Sequence, residues 1–347
     1  MSRSGYLRIA PNRYRERFGL SFEDLTPGLR IRHRPGIDVS QRDNHLDAVD
    51  LINNAHLHYD SHYAANTEWQ NPLTVSTMTV QRFMGMISRS WYRRRALLGI
   101  DSLALTAPIR GDDTLYSESE VIALSPGCDG DVGEVTLSIE GRNRSGKVAA
   151  KIDCRIEVYR KGRHPEDRPA APIADETRFA LYHEDEDGAL VEQTGLFFED
   201  LVPGETFEHW PTRSLGAEES RLAALRSLEI NPRWHDPNYR SAHPEFTEMV
   251  WEPLVLGAVT ALTTRTFGRV VANLGWTGIS MPSPVRPGDS LQAESTVTAV
   301  RGSSSRPDQG IATVDTRAYA GDRLVCAYTR NLLIYRRGCG PYRNAGY

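Results

Sequence analysis

The sequence predicts an α+β chain made of two tandem copies of one unit, each unit a long apolar helix followed by antiparallel strands. Three observations carry this. Phe22-Glu23-Asp24-Leu25-Thr26-Pro27-Gly28 returns as Phe198-Glu199-Asp200-Leu201-Val202-Pro203-Gly204, an offset of 176 residues, and the same offset carries Pro108-Ile109-Arg110 to Pro284-Val285-Arg286. Each copy holds one apolar stretch long enough for a buried helix, Leu73 to Tyr92 and Leu254 to Phe267. Each copy then closes on segments such as Ala150, Ile152, Cys154, Ile156 and Val158, whose alternation with polar residues wets one strand face and buries the other.

The elements follow in the same order in both copies. A Phe-Glu-Asp-Leu turn opens each, and His33 and Pro35 return as His209 and Pro211. Helical spacing comes next, from Asn44 to Asn53 and from Glu218 to Leu228, then a loop rich in His and Asp in which Asp60 and Tyr63 return as Asp236 and Tyr239. After the apolar helix come strands over Thr114 to Leu124, Glu134 to Asn143 and Val148 to Tyr159, matched by Leu291 to Val300, Ile311 to Tyr319 and Leu324 to Tyr335. The second copy is expected to carry a local insertion between Tyr239 and Pro253, compensated before Pro284. A polar, proline-rich stretch from Lys161 to Thr177 reads as the linker, dividing the chain into domains 1–170 and 178–347.

Composition excludes several classes. A chain of 347 residues with 39% hydrophobic and 25% charged residues is ordinary globular material. A formal net charge of -4 with no basic stripe argues against a nucleic-acid partner, and no apolar run approaches a membrane span. The basic start lacks the apolar core of a signal peptide, so a cytoplasmic location is the default expectation. Cys128, Cys154, Cys326 and Cys339 form no CxxC pair and have no His at ligand spacing, so they read as small buried residues rather than disulfides or a metal site. The partner expected is a small ligand.

With these motifs in place, the chain resembles the MaoC-like (R)-specific enoyl-CoA hydratase/dehydratase family. The opening FEDL-x-PG turn, the loop Asn53-Asn54-Ala55-His56-Leu57-His58 and the Arg286-Pro287-Gly288-Asp289 segment carry the likeness, which spans nearly the whole chain. Together with Ala272-Asn273-Leu274-Gly275-Trp276, they look most like its two-domain mesaconyl-CoA hydratase branch. The resemblance implies a double hotdog: two antiparallel sheets, each wrapped around a central helix and joined edge to edge. It also implies a hydro-lyase acting on a 2-enoyl or 3-hydroxyacyl thioester. Rival readings are a dehydratase on a carrier-protein-bound intermediate, a hotdog thioesterase and a non-catalytic acyl-thioester binding protein.

The resemblance also implies roles for residues. His58 falls on the position of the general base, and Asn53 falls where the family most often has an aspartate that fixes the water; an asparagine orients water without taking its proton. Backbone N-H groups near Ser76, at the start of the central helix, would face the thioester oxygen. Arg93 and Arg94 are candidates for coenzyme A phosphates, and Arg82 and Arg233 for a second carboxylate on the acyl group. Trp234 occupies the histidine position of the second copy, so that copy is expected to be degenerate and to shape the acyl pocket of the first. Asp60, repeated as Asp236, reads as a loop acceptor. No metal and no cofactor are expected. The partners are an acyl-CoA or acyl-carrier-protein thioester, with no nucleic acid and no membrane, and a homo-oligomer is compatible with this reading.

Overall fold

In a computed structural model of the chain, residues 3–167, 171–246, 248–344 and 347 are described. Residues 168–170 of the expected linker lie outside them. The first half contributes β1 (Tyr6–Ala10), β2 (Arg13–Glu16), β3 (Arg30–Val39), α1 (Gln41–Asp50), α2 (Ser61–Ala65), α3 (Ser76–Met86), β4 (Arg94–Leu105), β5 (Asp113–Pro126), β6 (Val132–Asn143) and β7 (Val148–Tyr159). The second contributes β8 (Tyr182–Glu184), β9 (Leu190–Glu192), β10 (Thr206–Ser214), α4 (Ala217–Arg226), α5 (Pro237–Ala242), α6 (Glu252–Phe267), β11 (Val270–Ser280), β12 (Ser290–Gly302), β13 (Gln309–Ala320), β14 (Arg323–Tyr335) and α7 (Pro341–Asn344). The central helices and the strands β5, β6, β7, β12, β13 and β14 fall where apolar runs and alternation place them, whereas β3, β4, β10 and β11 were not expected.

Two seven-stranded sheets form, β1-β2-β10-β12-β13-β14-β11 and β4-β7-β6-β5-β3-β9-β8. They do not follow the two halves of the sequence. The N-terminal hairpin of each copy crosses to the other copy's sheet, where β2 pairs parallel to β10 and β9 parallel to β3. The hydrophobic cores are mixed accordingly: Leu181, Tyr182 and Leu190 pack into the first-half core, while Tyr6 and Tyr14 pack with Phe207 and Phe267 in the second. The expected edge-to-edge joining is therefore replaced by exchanged hairpins. The edge strands β4 and β11 each carry three register shifts, irregularities that bend a strand away from further pairing.

Side chains explain the local elements. Ser40 caps α1 by accepting the Asp43 N-H at 3.1 Å, while Asp43 accepts the Ser40 N-H at 3.3 Å. The helix α3 buries Met78, Thr79 and Phe83 on one face. Phe83 lies flat on Gly141 of β6, where an added Cβ would come within 2.2 Å of the ring, so the helix sits against the sheet only because that position lacks a side chain. In the second half α6 buries Val255, Val259, Leu262 and Thr266 at the same kind of spacing.

The expected insertion in the second copy is absent. Asp60 and Asp236 cap α2 and α5, and Val75 and Trp251 stand just before α3 and α6, all at the offset of the opening turns. The side chains diverge there while the backbone does not, which made the register look broken. The cysteines are all free; Cys154 and Cys326 are buried as expected, whereas Cys128 is exposed on a turn.

Candidate active site

The loop after α1 is built by short polar contacts. Asp60 accepts the Tyr63 N-H at 2.9 Å, and Asp236 accepts the Asn238 N-H at 2.9 Å in the second copy, so this repeated acid is a helix cap, as its recurrence implied. Upstream of it, a short helical turn over His56–His58 presents the His58 ring to a cavity of about 350 Å³. Trp69, Leu73, Leu105, Pro108 and Ile109 supply apolar wall, and Thr74, Ser76 and Thr79 supply hydroxyls.

The His58 ring is fixed in one sense. Its Nδ1 lies 3.0 Å from the Leu73 carbonyl, which can only accept, so Nδ1 carries the proton and Nε2 is left with the lone pair. Ser76 lines the same cavity at the first turn of α3, a helix end that no side chain caps. A proton acceptor and the positive end of a helix thus share one partly apolar pocket, an arrangement able to move a proton and hold developing negative charge.

Asn44 ties the parts together and was not anticipated. Fully buried, it donates from Nδ2 to the carbonyls of His58 at 2.7 Å and Leu73 at 3.0 Å, and its Oδ1 accepts the Val75 N-H at 2.7 Å. His58, the carbonyl that orients its ring and the start of α3 are all held by one amide. The available signal was an asparagine on the inward face of an amphipathic helix, matched by Ser220, whose Oγ accepts the Trp251 N-H at 2.9 Å.

The other candidates are placed differently. Asn53 turns its Oδ1 onto the Ala55 N-H at 2.9 Å and is not among the residues that line the cavity, and Glu229 makes the same contact to Asn231 in the second copy. Arg93 is buried and its two terminal nitrogens pair with Asp167 at 3.0 and 2.5 Å, while its Nε is buried without a partner, so its charge is already matched by a carboxylate of the protein. Burial pushes the Asp167 carboxyl up, but Arg93's hydrogen bonds and charge outweigh it and hold the group below the usual carboxylate range. Arg94 is exposed at the start of β4, apart from the cavity. Arg82 also lies outside it, and Arg233 stacks on Trp234 and Phe246 at 4.4 and 4.9 Å. Every lining residue comes from 58–109, so the second half does not shape this pocket.

Among the described residues, no group of three or more His, Cys, Asp or Glu side chains is arranged to hold a metal, and no helix is long and apolar enough to cross a membrane.

Two helix-centred sheets from a duplicated chain define a double hotdog. Residues 174–342, all in the second half of the chain, match the family model described as mesaconyl-CoA hydratase. Solved structures similar to the chain include a putative MaoC domain protein dehydratase from Chloroflexus aurantiacus, 18% identical over 92% of this chain and 98% of that one, with a TM-score of 0.41. A conserved hypothetical protein from Mycobacterium tuberculosis, described as having a double hotdog fold, is 20% identical over 91% of this chain and 99% of that one, with a TM-score of 0.37. An (R)-hydratase from A. caviae is 21% identical over 39% of this chain and 98% of its own, with a TM-score of 0.34. No curated protein matches the chain significantly.

Proposed function

We propose that the chain is a hydro-lyase that adds water to a 2-enoyl thioester or removes it from a 3-hydroxyacyl thioester. The observation that carries this is the His58 ring, with Nδ1 committed to the Leu73 carbonyl and Nε2 free in a cavity that also holds the start of α3. In hydration, Nε2 takes a proton from water as the oxygen attacks C3 of the enoyl group. The C2–C3 electron pair moves toward the thioester carbonyl, whose oxygen gains charge facing the N-H groups at Ser76, and C2 then takes the proton back from the His58 imidazolium, which restores the neutral ring. Dehydration runs the steps backward with His58 as acid. Asn53 is engaged with its own loop, so the water is assigned to the Thr74 and Thr79 hydroxyls, which lie 3.0 Å apart at the cavity wall.

The family match over 174–342 supports a mesaconyl-CoA-like substrate. The test is loss of enoyl-thioester absorbance on mixing the protein with mesaconyl-CoA and with crotonyl-CoA. His58→Ala is expected to lower turnover about a hundredfold or more; retention of activity within a few-fold sinks the assignment. Thiol release in place of hydration makes the chain a thioesterase.

A further inference from the structure

A second concave site lies toward the opposite end of α3. It is an open groove of about 630 Å³ between the halves, into which Arg34, Arg82, Arg89 and Arg265 converge with the hydroxyls of Ser88 and Thr264. No carboxylate lines it. None of the four arginines forms an ion pair among the described residues: Arg34 donates to the His33 carbonyl, Arg89 to the Gln193 carbonyl and Thr194, and Arg265 to the Pro211 carbonyl. The Arg34 Nε is buried without any partner, and Arg82 makes no hydrogen bond among the described residues, although its charge acts on Asp43.

The placement follows from the duplication. Arg89 and Arg265 are equivalent positions of the two copies, as are Ser88 and Thr264, so the repeat brings two like charges to the seam between the central helices. Burial lowers the Arg265 pKa; Glu16 opposes this and Arg89 adds to it. Glu16 is itself engaged by His209 and Thr266, at 3.0 and 2.5 Å. The macrodipole favours cations at helix C-termini, which accounts for Arg89 and Arg265 alone. It does not account for Arg82 in mid-helix or Arg34 on β3. Forked donors with no protein acid between them match the geometry of phosphate oxygens.

We propose that this groove binds a phosphate-bearing small anion held by both halves of the chain. The site is separate from the His58 cavity and does not rest on the hydro-lyase reading. Calorimetric titration of the full chain with pyrophosphate and with adenosine 3′,5′-bisphosphate tests it. Saturable binding is expected, weakened tenfold or more by Arg82→Gln and by Arg265→Gln. Because Arg82 makes no internal hydrogen bond, its variant is expected to keep the wild-type unfolding midpoint. Absence of saturable binding, or affinity unchanged by Arg82→Gln, overturns the proposal. Where turnover is measurable, inhibition overcome by excess enoyl-CoA identifies the anion with the phosphates of the substrate's own carrier, and inhibition indifferent to substrate identifies it with a free organic phosphate. Calorimetry reads the groove even if no turnover exists.

Discussion

Asn44→Ser is the substitution that separates holding the site from holding the fold. Asn44 makes four contacts: its Nδ2 donates to His58 O, Leu73 O and Gln41 Oε1, the last at 3.2 Å, and its Oδ1 accepts from Val75 N-H. The second copy manages with Ser220 on the Trp251 N-H alone, so a hydroxyl suffices to satisfy the start of a central helix. After substitution the two carbonyls keep other partners, since Gln41 Nε2 still donates to His58 O at 2.8 Å and His58 Nδ1 to Leu73 O. Losing the donations to these two carbonyls then costs about 0.5–1.5 kcal/mol each, or roughly 1–3 kcal/mol together. Asn44→Ala also strands the buried Val75 N-H, adding about 1–3 kcal/mol. Urea unfolding should therefore rank wild type above Ser above Ala. Turnover should fall well over tenfold in the Ser variant with little change in KM, because the His58 backbone and the carbonyl that orients its ring are no longer fixed to one another. Wild-type turnover in a folded Asn44→Ser protein refutes the positioning role.

Three further outcomes follow from particular contacts. Arg93→Gln leaves Asp167 without its cation and is expected to cost about 3–5 kcal/mol of stability, with KM for a CoA thioester unchanged; a raised KM in a stable variant restores the phosphate role. For Glu192, burial raises the carboxyl pKa, but the charge and hydrogen bond of His33, the Ser90 hydroxyl and the charge of Arg89 hold it below the ordinary value. A depressed folded-state value stabilises the protein above the ordinary glutamate pKa of about 4.3 and ceases to do so as pH falls through the folded value. Urea midpoints measured from pH 7 down to 3 should drop over that acid range, and less steeply in Glu192→Gln. Gly141→Ala pushes a methyl into the Phe83 ring and should cost about 1–3 kcal/mol, partly recovered by adding Phe83→Leu; an unchanged midpoint argues against the close helix-to-sheet contact.

How much of this was legible depended on whether the signal was local. The central helices, the three closing strands of each copy and the capping acids announce themselves through periodicity and through residues such as Asp60 that act on their own neighbours; β4 and β11, mostly half-exposed or exposed along their length, show no such alternation. His58 could be singled out because its loop matches a motif. Arg93 could not be judged, because a buried pair with Asp167 and an exposed phosphate ligand leave the same trace in sequence. Asn53 shows the same ambiguity: at that position an amide can orient water or close a turn, and only the Ala55 contact distinguishes the two. The short hairpins were missed because β1, β2, β8 and β9 have 3 to 5 residues each and pair with the other half, where no local pattern points.

The exchange also explains which residues recur between the copies. His33 binds Glu192 at 2.9 Å and Ser119 at 2.8 Å, and His209 binds Glu16 at 3.0 Å and Ser295 at 2.8 Å, all buried. Each network takes its acid from the hairpin that has crossed over, so each half completes the interior of the other. Removing either acid leaves a buried histidine short of its partner in the opposite half, a cost of several kcal/mol that does not depend on which half carries chemistry. At the loop the logic reverses. The cavity around His58 is walled by its own half, and the positions corresponding to His58 and Ser76 hold Trp234, which stacks under Arg233 at 4.4 Å, and Glu252. A duplicated chain locked by exchanged hairpins is therefore free to diverge at its two loops while remaining unable to dispense with either half.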